Sequence, residues 1–190
     1  MVYKQGREPV DVRVHTAEFR IYGIMEMPRF GGMASFLNKT KRLLVPLTGV
    51  LVYSAGCDHP PRAEDMRATA DFLAVQQRDI LWVVGGRPDE LELPGVPVKK
   101  KRMALLFACC VMVGVLVTPG GVRLADFLAN AKPFQTLFDV RLYALAGDTP
   151  ARELEVRHTF EYVTVNIRKI LGIMEAPRLD DEDTRLTLFR

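Results

Sequence analysis

The chain contains few of the residues from which covalent frameworks and catalytic centres are built. Its 190 residues include three cysteines, three histidines and one tryptophan. Three cysteines do not make a disulfide framework, and the adjacent Cys109 and Cys110 would point to opposite faces of a strand. Reduced thiols and a cytoplasmic location are therefore predicted.

Apolar runs of transmembrane length are also missing. The longest run without charged or strongly polar residues is Met103–Val117, which follows the basic residues 99–102. As a helix it would span about 22 Å, against about 30 Å of hydrocarbon in a bilayer. The matching positions of the first half, Val12–Glu26, carry several charged side chains. We predict a strand or a strand pair buried on both faces, and no membrane span. The N-terminus lacks the apolar core of a signal peptide.

The sequence shows no phosphate-binding glycine loop, no paired catalytic carboxylates and no histidine cluster. Gly31-Gly32 and Gly120-Gly121 lack the lysine or the helix start that a phosphate loop needs. We therefore predict that the protein is not an enzyme and has no catalytic residues, no metal site and no cofactor.

One tripeptide, Cys57-Asp58-His59, brings thiol, carboxylate and imidazole groups together. Metal sites and cysteine nucleophiles use such groups. Consecutive residues rarely face one ion, however, and the matching tripeptide of the second half is Gly147-Asp148-Thr149. Each shared aspartate precedes a proline by two residues, which is typical of a turn. A turn is the preferred interpretation, and a small hydrolase or metal enzyme is the competing hypothesis.

The main positive feature is an internal repeat. A shift of 91 residues superposes six residues of segment 23–41 on identical ones, and a shift of 90 superposes twelve of segment 47–83. The pairs at the first shift are Gly23/Gly114, Pro28/Pro119, Ala34/Ala125, Phe36/Phe127, Leu37/Leu128 and Lys41/Lys132. The second shift includes Leu47/Leu137, Tyr53/Tyr143, Val75/Val165, Ile80/Ile170 and Leu81/Leu171. The repeat predicts two related domains of about 80 residues, each near the lower size limit for an independent core.

The elements of each half are predicted to be short strands around one helical turn. In the first half, Val12–Glu26 reads as one bent strand or as two strands with a bulge at Gly23, and Met33–Asn38 reads as a helical turn. In the second half, Met103–Thr118 and Leu124–Leu128 take these roles. Short strands with regular turns favour small closed barrels over an open sheet, whose edges would need cover.

The predicted fold class is therefore mainly β, with two tandem small β-barrels and a short helical turn in each. The first barrel covers residues 10–84 and the second covers residues 99–175. A proline-containing linker, residues 85–98, joins them, and an acidic tail, residues 176–190, follows. The linker is short and stiff, so we expect the two copies to pack side by side.

The motif Arg123-Leu124-Ala125-Asp126-Phe127-Leu128, followed by a strand through Leu137-Phe138-Asp139-Val140, resembles an uncharacterised bacterial small-barrel domain family. Pro46-Leu47-Thr48-Gly49-Val50 carries the second part of that pattern in the first half. The strand order is similar to that of Sm-like barrels, and this resemblance implies a bent five-stranded sheet whose protomers join edge to edge. The Sm-type RNA-binding motifs are missing, because Arg78-Asp79 and Arg168-Lys169 occupy the last turn.

Basic residues form two groups that predict contacts with anions or nucleic acid. They are Lys99, Lys100, Lys101 and Arg102 in one group, and Lys39, Lys41 and Arg42 in the other. The formal net charge of only +3 does not argue for such a partner. Arg123 and Asp126 are three residues apart, which predicts an ion pair that braces the helical turn.

We predict that the chain is a non-catalytic oligomeric scaffold or adaptor that assembles with itself and with another protein. The apolar strand of the second half exceeds what one small barrel can bury, which favours an interface between copies or subunits. The predicted interface residues are Leu105, Phe107, Val111, Val113, Val115, Leu186 and Leu188. An Sm-like nucleic-acid-binding protein is the alternative and is not favoured.

Overall fold

The computed structural model describes residues 6–40, 43–55, 62–89, 97–145, 154–176 and 185–186. This part of the chain is mainly β and has two short helices. The elements of the first half are β1 (Arg7–His15), β2 (Phe19–Pro28), α1 (Met33–Lys39), β3 (Leu44–Ser54), β4 (Met66–Gln76) and β5 (Trp82–Gly85). Those of the second half are β6 (Val98–Leu106), β7 (Cys110–Pro119), α2 (Leu124–Asn130), β8 (Phe134–Ala144), β9 (Leu154–Asn166), β10 (Gly172–Glu175) and β11 (Arg185–Leu186).

Ten of these strands form a single antiparallel sheet in the order β10-β6-β7-β8-β9-β5-β1-β2-β3-β4, and β11 pairs with β9 outside this order. Each half therefore has the same internal order, with its fifth strand beside its first. Among the described residues, the two outermost strands, β4 and β10, each pair with one strand only, so the sheet is open. The mainly β class is confirmed, whereas the predicted pair of closed barrels is not. The physical reason is that β5 uses its second edge to pair with β9 of the other half.

The two segments predicted as one bent strand or as a pair of strands are hairpins. The chain reverses at Thr16–Glu18 between β1 and β2, where the Thr16 backbone N–H donates to Phe19 O at 2.9 Å. The second half reverses in the same way, with Phe107 N–H donating to Cys110 O at 2.8 Å. The run Met103–Val117 thus crosses from β6 into β7, and no helix among the described residues is long and apolar enough to span a membrane.

Glycines bend the second strand of each half, as the sequence predicts. The β2/β3 register shifts between Tyr22 and Ile24, and the β7/β8 register shifts between Val113 and Val115. A Cβ on the intervening Gly114 would lie 2.7 Å from Leu137 Cγ, too close for any other residue. The bulge lets β7 curve over its core while keeping its apolar side inward.

Each half encloses its own apolar core, and each core contains an aromatic residue from the other half. The first core, around Val14, Met25 and Leu37, includes Phe134 of β8. The second core, around Met112 of β7, includes Trp82 of β5. The two halves are therefore joined by exchanged side chains as well as by paired strands.

Candidate assembly interface

The junction between the halves is built on the pairing of β5 with β9. Trp82 lies opposite Val165, and Val83 lies opposite Thr164. The backbone N–H of Asn166 donates to Leu81 O at 2.8 Å, and its side-chain amide donates to Ile80 O at 3.0 Å. Asn166 is buried, so these bonds satisfy polar groups that would otherwise be costly to enclose.

Trp82 is the apolar centre of this junction. It is 1 % exposed, and its ring stacks on His15 with centroids 4.6 Å apart. The edge-to-face contact with Phe107 has a centroid distance of 5.1 Å. A tryptophan buried in this way removes a large apolar surface from water and holds both halves in one orientation.

Helix α1 supplies the polar part of the junction. The Asn38 amide donates to Phe134 O at 2.7 Å, and its carbonyl accepts from Phe134 N–H at 3.0 Å. Asp89 accepts from the backbone N–H groups of Ala34 and Ser35 at 2.9 and 3.0 Å, which caps the helix. The same carboxylate accepts from the Thr136 hydroxyl of β8 at 3.2 Å. One helix end thus anchors both halves.

Burial gives His15 an unusual titration. Desolvation, followed by the charges of Arg13, Arg20 and His158, lowers the pKa of His15 from 6.5 to about 3. In the unfolded chain the imidazole gains its proton near pH 6.5, whereas in the folded chain it stays neutral until about pH 3. The unfolded state therefore binds more protons throughout this window, and stability falls as the pH falls.

We expect His15→Leu to remove this part of the acid sensitivity. Leucine is the residue at the matching position of the second half, Leu106. Between pH 7 and pH 5 the wild-type free energy of unfolding should fall by about 2 kcal/mol more than that of the variant. Urea unfolding at several pH values, followed by circular dichroism, measures the difference. Parallel pH curves for the two proteins would contradict the assignment.

The six described residues of the predicted interface fall into four places. Leu105 and Phe107 lie in the second core that receives Trp82. Val111 and Val113 are buried in a separate cluster with Ala104 and Tyr143. The remaining described residues are Val115, which lines a surface groove, and Leu186, which pairs with Leu154 of β9, while Leu188 lies outside the described residues.

Strands β4 and β3, at one end of the sheet, expose apolar side chains whose counterparts in β9 and β8 are half-buried or buried. Phe72 is 61 % exposed, while Tyr162 at the matching position is half-buried and donates its hydroxyl to Gly86 O at 2.5 Å. Burial, followed by the charge of Glu161, raises the pKa of Tyr162. Leu44 is 46 % exposed, while its counterpart Phe134 is 2 % exposed. The more buried residue of each pair, Tyr162 or Phe134, is the one that lies in the junction between the halves.

The outer strand β10 shows the same contrast with β5. Leu171 just before β10 is 70 % exposed, whereas Leu81 just before β5 packs on the second core. Met174 is exposed, whereas Val84 at the matching position packs on that core. Helix α1 has three buried residues, and α2 has none. Both ends of the sheet therefore carry the surfaces that the central junction buries.

The basic residues are only partly brought together. Lys100, Lys101 and Arg102 line one surface groove, but Asp139, Glu161 and Glu175 line it too. Lys101 and Glu175 form an ion pair at 2.5 Å. Lys99 is exposed on the same strand, and Lys39 is exposed at the end of α1 and does not line this groove. Lys41 and Arg42 lie outside the described residues.

The residues considered as metal ligands or as a cysteine nucleophile do not form a site in the described part of the chain. Cys57, Asp58 and His59 lie outside it. Among the described residues no group of three histidine, cysteine or carboxylate side chains is arranged to hold a metal. Arg123 and Asp126, both described, form no ion pair, so that prediction is wrong. Instead, Arg123 precedes α2, and its carbonyl accepts from Phe127 N–H at 2.9 Å.

Comparison of the chain with protein-family models, curated proteins and solved structures finds no match. Function must therefore be inferred from the molecule itself. Its most distinctive features are the buried junction between β5 and β9 and the two outermost described strands, β10 and β4, which correspond to β5 and β9.

Proposed function

We propose that the chain is a non-catalytic scaffold or adaptor that works by assembling with itself and with another protein in the cytoplasm. In this proposal each half is one small-barrel-type unit, and the chain carries two units in a fixed orientation. The observation that carries it is the contrast between covered and uncovered strands. Phe72, Leu171 and Met174 are exposed, whereas their counterparts in the central junction are half-buried.

The physical chemistry of sheet edges supports assembly. An outer strand presents unpaired N–H and C=O groups, and soluble proteins usually protect such strands with charges, prolines or covering segments. In β4, the stretch Phe72–Val75 has neither a charged residue nor a proline. Exposed apolar side chains on such a strand add the free energy of their burial to that of the new hydrogen bonds.

Nucleic-acid binding has weaker support. A phosphate-binding surface needs an excess of cations. The three basic residues of the groove, Lys100, Lys101 and Arg102, share it with three carboxylates. Lys101 is already engaged by Glu175. The local charge is therefore mixed, and strong attraction for a phosphate backbone is not expected.

We expect the purified chain to have a mass in solution that is a multiple of the single-chain mass at micromolar concentration. Phe72→Glu should shift this equilibrium toward the single chain, because a charge on the outer strand opposes edge pairing. Light scattering coupled to gel filtration measures the mass, and the absorbance ratio at 260 and 280 nm reports co-purified nucleic acid.

Phe30→Glu is the matched control for this experiment. Phe30 is 82 % exposed and lies between β2 and α1, in neither outer strand. It should leave the mass unchanged. A wild-type protein that stays monomeric throughout the concentration range would refute self-assembly. A particle rich in nucleic acid would favour the alternative function.

A further inference from the structure

We infer that a second copy of this chain places its β10 against β4, in the register that β5 and β9 adopt within one chain. This inference rests on the proposed function, because it names the partner and the surface of the assembly. It goes beyond the function by specifying which strands meet, in which direction and at which residues. The surroundings of β10 match those of β5, and the surroundings of β4 match those of β9.

The donor strands β5 and β10 have the same surroundings. Each follows a short 3₁₀ turn and the dipeptide Ile-Leu, which is Ile80-Leu81 before β5 and Ile170-Leu171 before β10. Leu81 N–H donates to His15 O at 2.8 Å, and Leu171 N–H donates to Leu106 O at 2.7 Å. Each strand thus uses one edge for the first strand of its own half. The other edge of β5 binds β9, whereas β10 has no second partner among the described strands.

The acceptor strands β9 and β4 also match. Phe134 lies opposite Asn166 in the β8/β9 pair, and Leu44 lies opposite Gln76 in the β3/β4 pair. The 3₁₀ turn after each strand is held by one backbone bond of 2.8 Å, from Ile167 N–H to Pro133 O and from Gln77 N–H to Leu43 O. The strand edge that β9 offers to β5 is therefore present in β4 with the same geometry.

This correspondence specifies the contacts between chains. Gly172 of one copy would lie opposite Val75 of the next, and Ile173 opposite Ala74. The Gln76 N–H would donate to Leu171 O, as Asn166 N–H donates to Leu81 O within the chain. Leu171 and Met174 would then be covered, as Leu81 and Val84 are covered now.

One difference makes the junction between chains weaker than the junction within a chain. Trp82 is matched by Gly172, and its ring partner Phe107 is matched by Thr16. An open groove of about 560 Å³ lies at this place, lined by Thr16, Val75 and neighbouring apolar residues, with Glu18, Asp79 and Lys169 at its charged part. Without the two aromatic rings the groove stays unfilled, so assembly should be reversible where the internal junction is permanent.

The contact joins two different surfaces, so it has a direction. A second copy that binds through β10 leaves its own β4 open for a third. Contacts of this kind close into rings when the rotation permits and otherwise extend into filaments. Covering both outer strands in this way removes the exposed edges of every chain in a closed ring.

A disulfide trap tests the register. Chains with Ala74→Cys are mixed with chains carrying Ile173→Cys under mild oxidation. The proposed pair is a hydrogen-bonded position with Cα atoms about 5.5 Å apart, within the range of a disulfide. We expect a cross-linked dimer, and peptide mapping should find positions 74 and 173 joined. Replacing Ile173→Cys by Met174→Cys moves the thiol to the other face of the strand and should abolish the product.

A gain of affinity provides the second test. Gly172→Trp restores the ring found at Trp82, and a Cβ on Gly172 meets no atom closer than 3.9 Å. The concentration at which half the chains dissociate should fall on the order of tenfold or more. Val122→Trp, at an exposed position, controls for non-specific association through an added tryptophan and should leave the dissociation concentration unchanged.

The outcomes separate the two proposals. An assembled wild type with neither the trapped pair nor a stronger Gly172→Trp assembly would overturn this junction and leave the scaffold in place. A monomer in every variant would overturn both. A trapped pair that vanishes with Met174→Cys supports both.

Discussion

Trp82→Ala is expected to lower the free energy of unfolding by about 3–5 kcal/mol. The indole is 1 % exposed and contributes to the core of the half to which it does not belong. Its removal leaves a cavity between His15 and Phe107, the two rings it contacts. Because the junction loses its apolar centre, the two halves should also unfold less cooperatively. Urea unfolding followed by circular dichroism measures both effects.

Two controls identify the cause. Trp82→Phe keeps an aromatic ring and should cost clearly less than the alanine variant. Phe72→Ala, at a position 61 % exposed, should change stability by no more than about 0.5 kcal/mol in the monomer. If Trp82→Ala lost less than about 1 kcal/mol, the junction would not depend on this side chain.

Gly85→Ala should have the second largest effect, with a loss of roughly 3 kcal/mol or more. Gly85 has a φ of 103°, and a Cβ there would lie 2.3 Å from the backbone oxygen of Asp11. A backbone atom cannot rotate away as a side chain does, so β1 and β5 would have to separate. Since β5 also pairs with β9, the change would be transmitted to the junction.

Gly121→Ala is the matched control, measured in the same unfolding experiment. Gly121 also has a positive φ, 82°, but a Cβ there meets nothing within 4 Å. Only the backbone strain of about 1–2 kcal/mol should remain. Equal losses for the two variants would show that the contact with Asp11 is unimportant.

Local features of the fold follow from the sequence. The helices α1 and α2 lie where the helical turns are predicted, and both β-bulges lie at the predicted glycines, Gly23 and Gly114. The apolar pattern does not reveal the tight turn at Thr16–Glu18, because Val12, Val14 and Ile21 on either side of the turn all pack in the same core. A hairpin and a long bent strand share this pattern when the turn lacks glycine and proline.

The polar residues of the junction are absent from the sequence predictions. Asn38, Asp89 and Asn166 are ordinary surface types, and nothing in their local sequence shows that they bond across the halves. A weak signal exists for Asn166, which directly follows the uncharged stretch Tyr162–Val165 of β9 and is itself buried. Their partners lie between 47 and 96 residues away along the chain.

The sequence by itself determined the mainly β class and the places of the two helices and two bulges, because these depend on neighbouring residues and on alternation along a strand. The tertiary structure alone decided that β5 joins β9, that Trp82 enters the other core and that β4 and β10 pair with no second strand among the described residues. The physical reason is that a strand has two equivalent edges. Its local sequence does not say which distant strand will take the second edge, so the open sheet replaces the two predicted barrels.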